Sequence, residues 1–260
     1  MKNIINFDID FAKIPNEIKK FFYIHNDIYT NLKISEKTKN EKLVKLENSQ
    51  IEIKEFWHDK IIHIWDKNID EIINLENLEM QKFLKKNPDF WIYLRENVAK
   101  KILEVDKFFR SKWYYLVLKI WYRPLEVQKN LFSKISEFMK KKYSDLPEYE
   151  IYDKTIEFIS DPNKYISPHT TWWAVDLDLF HENWDYVDMW SPINFPWSIS
   201  HLTTEKITEE QRKNREFLCD TMMNFWFSNL ASEWWHFAYW DSYRAKFYWK
   251  SEYLYWAVEF

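Results

Sequence analysis

The chain contains no glycine: its 260 residues include Gly 0 and Trp 16. Glycine is the one residue that enters positive-φ backbone without a steric cost, so a chain lacking it must build helix ends and tight turns from residues that resist them. At a usual frequency of about 7%, about 18 glycines are expected, and the chance of finding none is on the order of 10^-8. Lysine outnumbers arginine 31 to 6, and Ile, Asn, Phe and Tyr are plentiful, as in a gene rich in A and T. We read the absence of glycine as the mark of a source organism in which UGA encodes glycine, translated here under a code that reads UGA as tryptophan. UGG codons at most of the tryptophans would refute that reading.

The length suits one large domain, or a core domain with an extension, and allows a substantial apolar interior. The lone Cys219 has no partner for an internal disulfide and lies in a helical pattern, which marks it as a small buried hydrophobe in a reducing compartment. The leading MKNIINFDIDFAKIPNEIKKFF lacks the apolar core of a signal peptide, and no run approaches the roughly 20 apolar residues of a membrane span. A soluble, cytoplasmic protein is the expectation. The net charge of -4, with both signs interspersed, argues against nucleic acid and leaves small molecules or peptides as ligands.

Residues 1–88 read as a largely helical, strongly charged N-terminal extension, and Asn87-Pro88-Asp89 is the expected boundary, since proline disfavours helix in the residue before it. Residues 89–260 alternate between periods. Leu94, Val98, Ile102 and Val105 share one helix face over 93–109, and YYLVLKI (114–120) reads as a buried strand. A second helix starts at Pro124 with Val127, Leu131, Ile135 and Phe138 inward. WWAVDLDLF reads as a strand, EEQRKNREFLCDTMMNF as a helix with Phe217, Leu218, Met222 and Phe225 inward, and EWWHFAYW as a final strand. Helices mixed with short strands point to an α+β fold.

His169 and Asp176, in SPHTTWWAVD, are by themselves better explained by a structural hydrogen-bonded pair than by a metal. EWWH adds His236, with Glu233 three residues before it, and two imidazoles plus one carboxylate make a catalytic zinc set with an open coordination position. Glu233 is then the natural base. Three-residue spacing puts Glu233 and His236 on opposite faces of a regular strand, so the segment must bend if both face one metal. Tyr122-Arg123-Pro124 follows a buried strand. A permanent guanidinium there suits an oxyanion or a carboxylate, and because arginine is so scarce in this chain a surface role would default to lysine.

Taken together, these segments resemble the zinc D,D-peptidases, a family that includes the D-alanyl-D-alanine dipeptidases (VanX-like) and the VanY-type carboxypeptidases. Ser167 through Asp176 is similar to the family signature S-x-H-x-x-G-x-A-x-D, and WYRPLEVQ to its G-Y-R-P segment. DMWSP at 188–192 resembles D-M-G-[ST]-x, NFWF at 224–227 resembles x-x-G-F, and EWWHF matches the dipeptidase form. Trp121, Trp172, Trp190 and Trp226 stand at family glycines, with Trp173 and Trp240 further candidates, whereas Trp234 and Trp235 match family tryptophans. The resemblance covers about Tyr93 to Asp241. It implies a hedgehog/D,D-peptidase-type domain, a mixed small sheet with flanking helices, binding one Zn2+ per chain through His169, Asp176 and His236. Glu233 would serve as general base and then acid, and Arg123 would stabilise the oxyanion. Tyr122, Ser167 and Asn194 would contact substrate. His181 and His201 are not assigned to the metal, although His201 matches a histidine frequent in the dipeptidases. The implied activity is hydrolysis of D-Ala-D-Ala. The alternatives are D,D-carboxypeptidase action on peptidoglycan stem peptides and a noncatalytic binding module. Asn194 stands where the dipeptidases carry an acidic residue for the substrate's amino group, which favours the longer peptide unless Asp185 or Asp188 substitutes.

Overall fold

A computed structural model describes residues 33–34, 41–46, 52–53, 78–87, 93–120, 122–156, 158–164, 167–191, 193, 198–239 and 252–253. Three short strands come first, β1 (Lys33–Ile34), β2 (Leu43–Lys45) and β3 (Glu52–Ile53), and then helix α1 over 78–86. These are the described parts of the stretch expected to be a helical extension; the rest of that stretch lies outside the described residues. Next come β4 (Tyr93–Arg95), α2 (Glu96–Arg110), β5 (Tyr114–Ile120), α3 (Leu125–Lys142) and α4 (Glu148–Ile156). The chain continues through β6 (Ala174–His181), α5 (Glu209–Asn224), β7 (Phe227–Leu230), β8 (Glu233–Tyr239) and β9 (Glu252–Tyr253). The fold is α+β. Its main sheet has the order β3-β5-β6-β8-β7, and β1-β9 and β2-β4 form two smaller pairs.

Most elements follow from local pattern. β5 spans the expected 114–120, and α2 buries Val98, Ile102 and Val105 on one stripe. Leu94 differs. It belongs to a strand and not to that helix, because it pairs with Val44 of β2, a partner from far upstream that helical periodicity cannot register. Pro124 sits at the N-cap of α3, one position before the first turn, where a missing N–H costs nothing. Helix α5 opens on a capping box: Thr208 Oγ1 accepts from Gln211 N (3.2 Å) and Gln211 Oε1 accepts from Thr208 N (2.9 Å).

Two apolar clusters result. Val98, Ile102 and Phe109 of α2, Leu116 and Leu118 of β5, Leu177 and Leu179 of β6, Leu218 and Met222 of α5, and Trp234 and Phe237 of β8 form the larger. Met80 of α1, Val127, Leu131, Ile135 and Met139 of α3 and Ile151 of α4 form the smaller. Cys219 is buried in the larger cluster, its Sγ 3.7 Å from Met223 Sδ, as its helical context implied. In central β6 the larger cluster takes Val175, Leu177 and Leu179, and alternation turns Asp176 and Asp178 to the opposite face. No helix among the described residues is long and apolar enough to cross a membrane.

Candidate metal centre

Three elements deliver the donor atoms. Asp176 lies on β6 directly opposite His236 of β8, and directly opposed residues of an antiparallel pair share a face. His169 comes from a 3-10 turn, Pro168–Thr171, just before β6. That turn is held by Thr170 N and Oγ1, both donating to the Ser167 carbonyl at 2.9 and 2.7 Å, and by Arg123 N donating to the His169 carbonyl at 2.9 Å.

The resulting triangle is tight. His169 Nε2 lies 3.0 Å from His236 Nδ1 and 3.4 Å from Asp176 Oδ1, and His236 Nδ1 lies 3.0 Å from Asp176 Oδ1. All three side chains are buried, and among the described residues this is the group of His, Cys, Asp and Glu side chains able to hold a metal. A single proton can satisfy only one edge of such a triangle. A central cation satisfies all three, and donors about 2.0–2.1 Å from a tetrahedral Zn2+ stand about 3.3–3.4 Å apart. Two imidazoles with one carboxylate are a catalytic zinc donor set that leaves a position open, so the residues fit Zn2+.

Electrostatics agree with that protonation state. Burial pushes the His169 imidazole down, outweighing the pull of the Asp176 carboxylate, so the ring is neutral and able to ligate. Burial alone would raise Asp176. Hydrogen bonds with the two imidazoles, and the positive charge that either carries when protonated, outweigh it and hold the carboxyl below the ordinary range.

Glu233 reaches the triangle because β8 bulges. Asn229 of β7 pairs with Phe237, yet the next residue, Leu230, pairs with Glu233, so Trp234, Trp235 and His236 are taken up without partners in the register. Asn229 Nδ2 fastens the bulge by donating to the carbonyls of Glu233 (3.0 Å), Trp234 (3.4 Å) and His236 (2.9 Å). Glu233 Oε2 then lies 3.8 Å from His236 Nδ1, half-exposed at the edge of the buried donors. This is the bend that the spacing demanded.

A peptidase family model, described as D-ala-D-ala dipeptidase, matches residues 70–254. The chain belongs to this family. No curated protein matches the peptidase. One solved structure similar to it is a point mutant of the vancomycin resistance D,D-pentapeptidase VanY from a VanB-type cassette, in complex with Zn(II). That likeness has 13% identity and a TM-score of 0.36, covering 62% of this chain and 80% of that one.

Most of the other residues singled out in the peptidase's sequence lie among the described residues. Arg123, half-buried, follows β5 and donates from Nη1 to Gln128 Oε1 at 3.0 Å; Gln128 Nε2 donates in turn to the Ser160 carbonyl at 2.9 Å. Tyr122 is buried, and burial pushes its hydroxyl up to about 12. Its ring is stacked on that of Trp172, centroids 3.7 Å apart, and Trp172 is wholly buried with φ 64°. Trp173 follows without a positive φ. Ser167 is buried at the start of the 3-10 turn, and its side chain does not cap it. Asn194, Trp121 and Trp240 lie outside the described residues. Asp188 accepts from Trp190 N and Gln211 Nε2, both at 2.8 Å, and Asp185 from Asn183 Nδ2 at 2.7 Å. His181, exposed at the end of β6, packs its ring on Tyr114, and His201 sits in the loop after 198–200, so neither joins the triangle.

Sequence reasoning missed Arg215. This fully buried side chain of α5 donates to the carbonyls of Met189, Ile199 and His201 and to Ser191 Oγ, bracing the loop over 188–201. Ser191 Oγ also accepts from Trp234 Nε1 at 2.9 Å, which ties that loop to β8. The scarcity of arginine that marked Arg123 was a signal here too.

Proposed function

We propose that the peptidase hydrolyses the D-Ala-D-Ala dipeptide with one Zn2+ per chain, and that residues 89–260 carry the chemistry behind an extension over 1–88. One observation carries the reading: a buried His169, Asp176, His236 triangle with the Glu233 carboxylate 3.8 Å from one of its donor atoms, in a chain of this family. Zn2+ bound by those three side chains supplies a Lewis acid for the scissile carbonyl and the attacking water. Glu233 takes a proton from that water at a carboxylate oxygen and delivers it to the departing amine as the C–N bond breaks. Arg123 presents a fixed positive charge to the oxygen on which negative charge develops. Tyr122, uncharged across the neutral range, contacts the substrate in this reading.

The second reading is carboxypeptidase action on a peptidoglycan stem. It is favoured by the two carboxylates that would have to replace the acidic residue missing at Asn194. Asp188 is engaged by Gln211 and Trp190 N, and Asp185 by Asn183, so both have hydrogen-bonding work other than meeting a free ammonium.

The test is D-alanine release from D-Ala-D-Ala and from a pentapeptide ending in D-Ala-D-Ala. The zinc-loaded chain is assayed as written and with glycine at Trp121, Trp172, Trp190 and Trp226. Release from the dipeptide that vanishes in Glu233→Ala supports the dipeptidase. Release from the pentapeptide alone selects the carboxypeptidase. Folded, zinc-bound protein inactive on both removes both readings and leaves the binding module.

A further inference from the structure

Among the described residues, five have φ in the left-handed region, and every one is a tryptophan: Trp113 (66°), Trp172 (64°), Trp184 (66°), Trp190 (70°) and Trp226 (76°). That region crowds any Cβ, and a bulky side chain there is a true outlier; Asn and Asp, which tolerate it best and abound in this chain, occupy none of the five positions. The local contexts are those of glycine. Trp113 follows the end of α2, its N–H donating to the Arg110 carbonyl, and Trp226 follows α5 in the same way, donating to Met223. Trp172 ends the 3-10 turn that carries His169. Trp184 follows Asn183 in a turn closed by His181 N donating to the Asp185 carbonyl, the place of glycine in an Asn-Gly hairpin. Trp190 follows Met189 in a loop whose N–H is capped by Asp188.

Exposure limits what the surface indoles can return to this backbone, although the Trp184 ring stacks on Tyr115 with centroids 4.5 Å apart. Trp113 is 70% exposed, Trp184 43% and Trp190 46%, so three of the largest apolar side chains face water at positions their backbone disfavours. Trp234 and Trp235 are the internal comparison. Both lie outside the left-handed region with indoles 1% exposed in the larger core, and Trp234 Nε1 donates to Ser191.

We infer that glycine is the residue of the native protein at 113, 172, 184, 190 and 226, encoded by UGA, and that 234 and 235 are tryptophans encoded by UGG. Two of the five, Trp113 and Trp184, lie in no family motif and are assigned by backbone alone. At 172 the assignment alters the site. A glycine there removes the indole that covers the Tyr122 ring at 3.7 Å and meets Tyr93 edge-on at 5.9 Å, opening an indole-sized subsite beside the turn that presents His169. Its use by a small apolar side chain such as a substrate methyl rests on the peptidase reading; the glycine assignment does not.

The deciding experiment is peptide mass spectrometry of the protein isolated from its own cells, with the gene sequenced alongside. Glycine masses at all five positions, tryptophan masses at 234 and 235, and UGA at the five codons are expected. Tryptophan masses or UGG codons at 113 and 184 overturn the inference. A second measurement needs no native material: thermal melting of the recombinant chain bearing Trp113→Gly, Trp184→Gly and Trp190→Gly together, against Trp235→Gly. The triple variant is expected to melt higher than the parent and Trp235→Gly lower; a triple variant that melts lower overturns the backbone argument. Neither readout involves catalysis, so an inactive protein leaves both interpretable.

Discussion

Replacing Arg215 by lysine should destabilise the protein well beyond what a change of one cation for another suggests. The guanidinium is fully buried and makes five hydrogen bonds, from Nε and Nη2 to the Met189 carbonyl (2.9 and 2.6 Å), from Nη1 to Ile199 and His201 (2.8 and 3.0 Å), and from Nη2 to Ser191 Oγ (3.2 Å). Burial already pushes its pKa down to about 10, so the charge is held at a cost that these acceptors and the nearby Asp188 carboxylate offset. A lysine ammonium is a compact point charge and cannot span a fork of acceptors spread over residues 189 to 201. If two carbonyls are left without donors, at about 1–3 kcal/mol each, the loss is about 4 kcal/mol at the middle of the range. For a chain of this size each kcal/mol moves Tm by about 2–4 °C, so Tm should fall by about 8–16 °C. Thermal unfolding followed by circular dichroism measures it, with Arg212→Lys as control. Arg212 is half-exposed and paired with Glu209, and an exposed pair contributes about 0–1 kcal/mol. If Arg215→Lys shifts Tm no more than Arg212→Lys does, the bracing role assigned to the fork is wrong.

Three further outcomes follow from the same geometry. Asn229→Leu removes the donor that fastens the β8 bulge; with Glu233 and His236 no longer held to one side, kcat/KM should fall roughly 10–100-fold with a smaller change in Tm, and an unchanged kcat/KM would show the bulge to be self-supporting. Zn2+ at about 100 times its Kd should stabilise the chain by about 2.7 kcal/mol, and Asp176→Asn should abolish most of that gain; an equal gain in the variant would place the ion elsewhere. For the metal-free protein, burial keeps the His169 pKa below 6.5, so as pH falls through 6.5 the unfolded chain takes up a proton that the folded chain refuses. That contribution is complete above pH 6.5 and drains away below it. Asp176, also depressed, acts with the same sign but only below 3.8. Tm should therefore decline as pH falls below about 6.5, and the decline should flatten in His169→Gln; an identical slope in that variant would assign the proton to another group.

What the sequence revealed about the site divides along the range of the interactions involved. Strand 114–120 and most of the inward stripes of α2 and α3 are written in local periodicity and were legible, although in α3 it is Met139 that is fully buried and Phe138 only in part. Leu94 was misassigned to a helix because its strand exists only through Val44, far upstream. The donors were legible as a set: His169 and Asp176 share one motif, and the β6 face that carries Asp176 is fixed by alternation against Val175 and Leu177. Glu233 and His236 were legible as a contradiction, since their spacing forbids a common face on a regular strand. The resolution resides in Asn229, four residues upstream of Glu233, whose single amide nitrogen collects three carbonyls. Nothing about an asparagine in a strand pattern announces that work, because its meaning depends on which carbonyls the bulge turns toward it. The spacing of two catalytic-type side chains can therefore state that a strand must break, while the residue that holds the break open is visible only once the backbone has been placed.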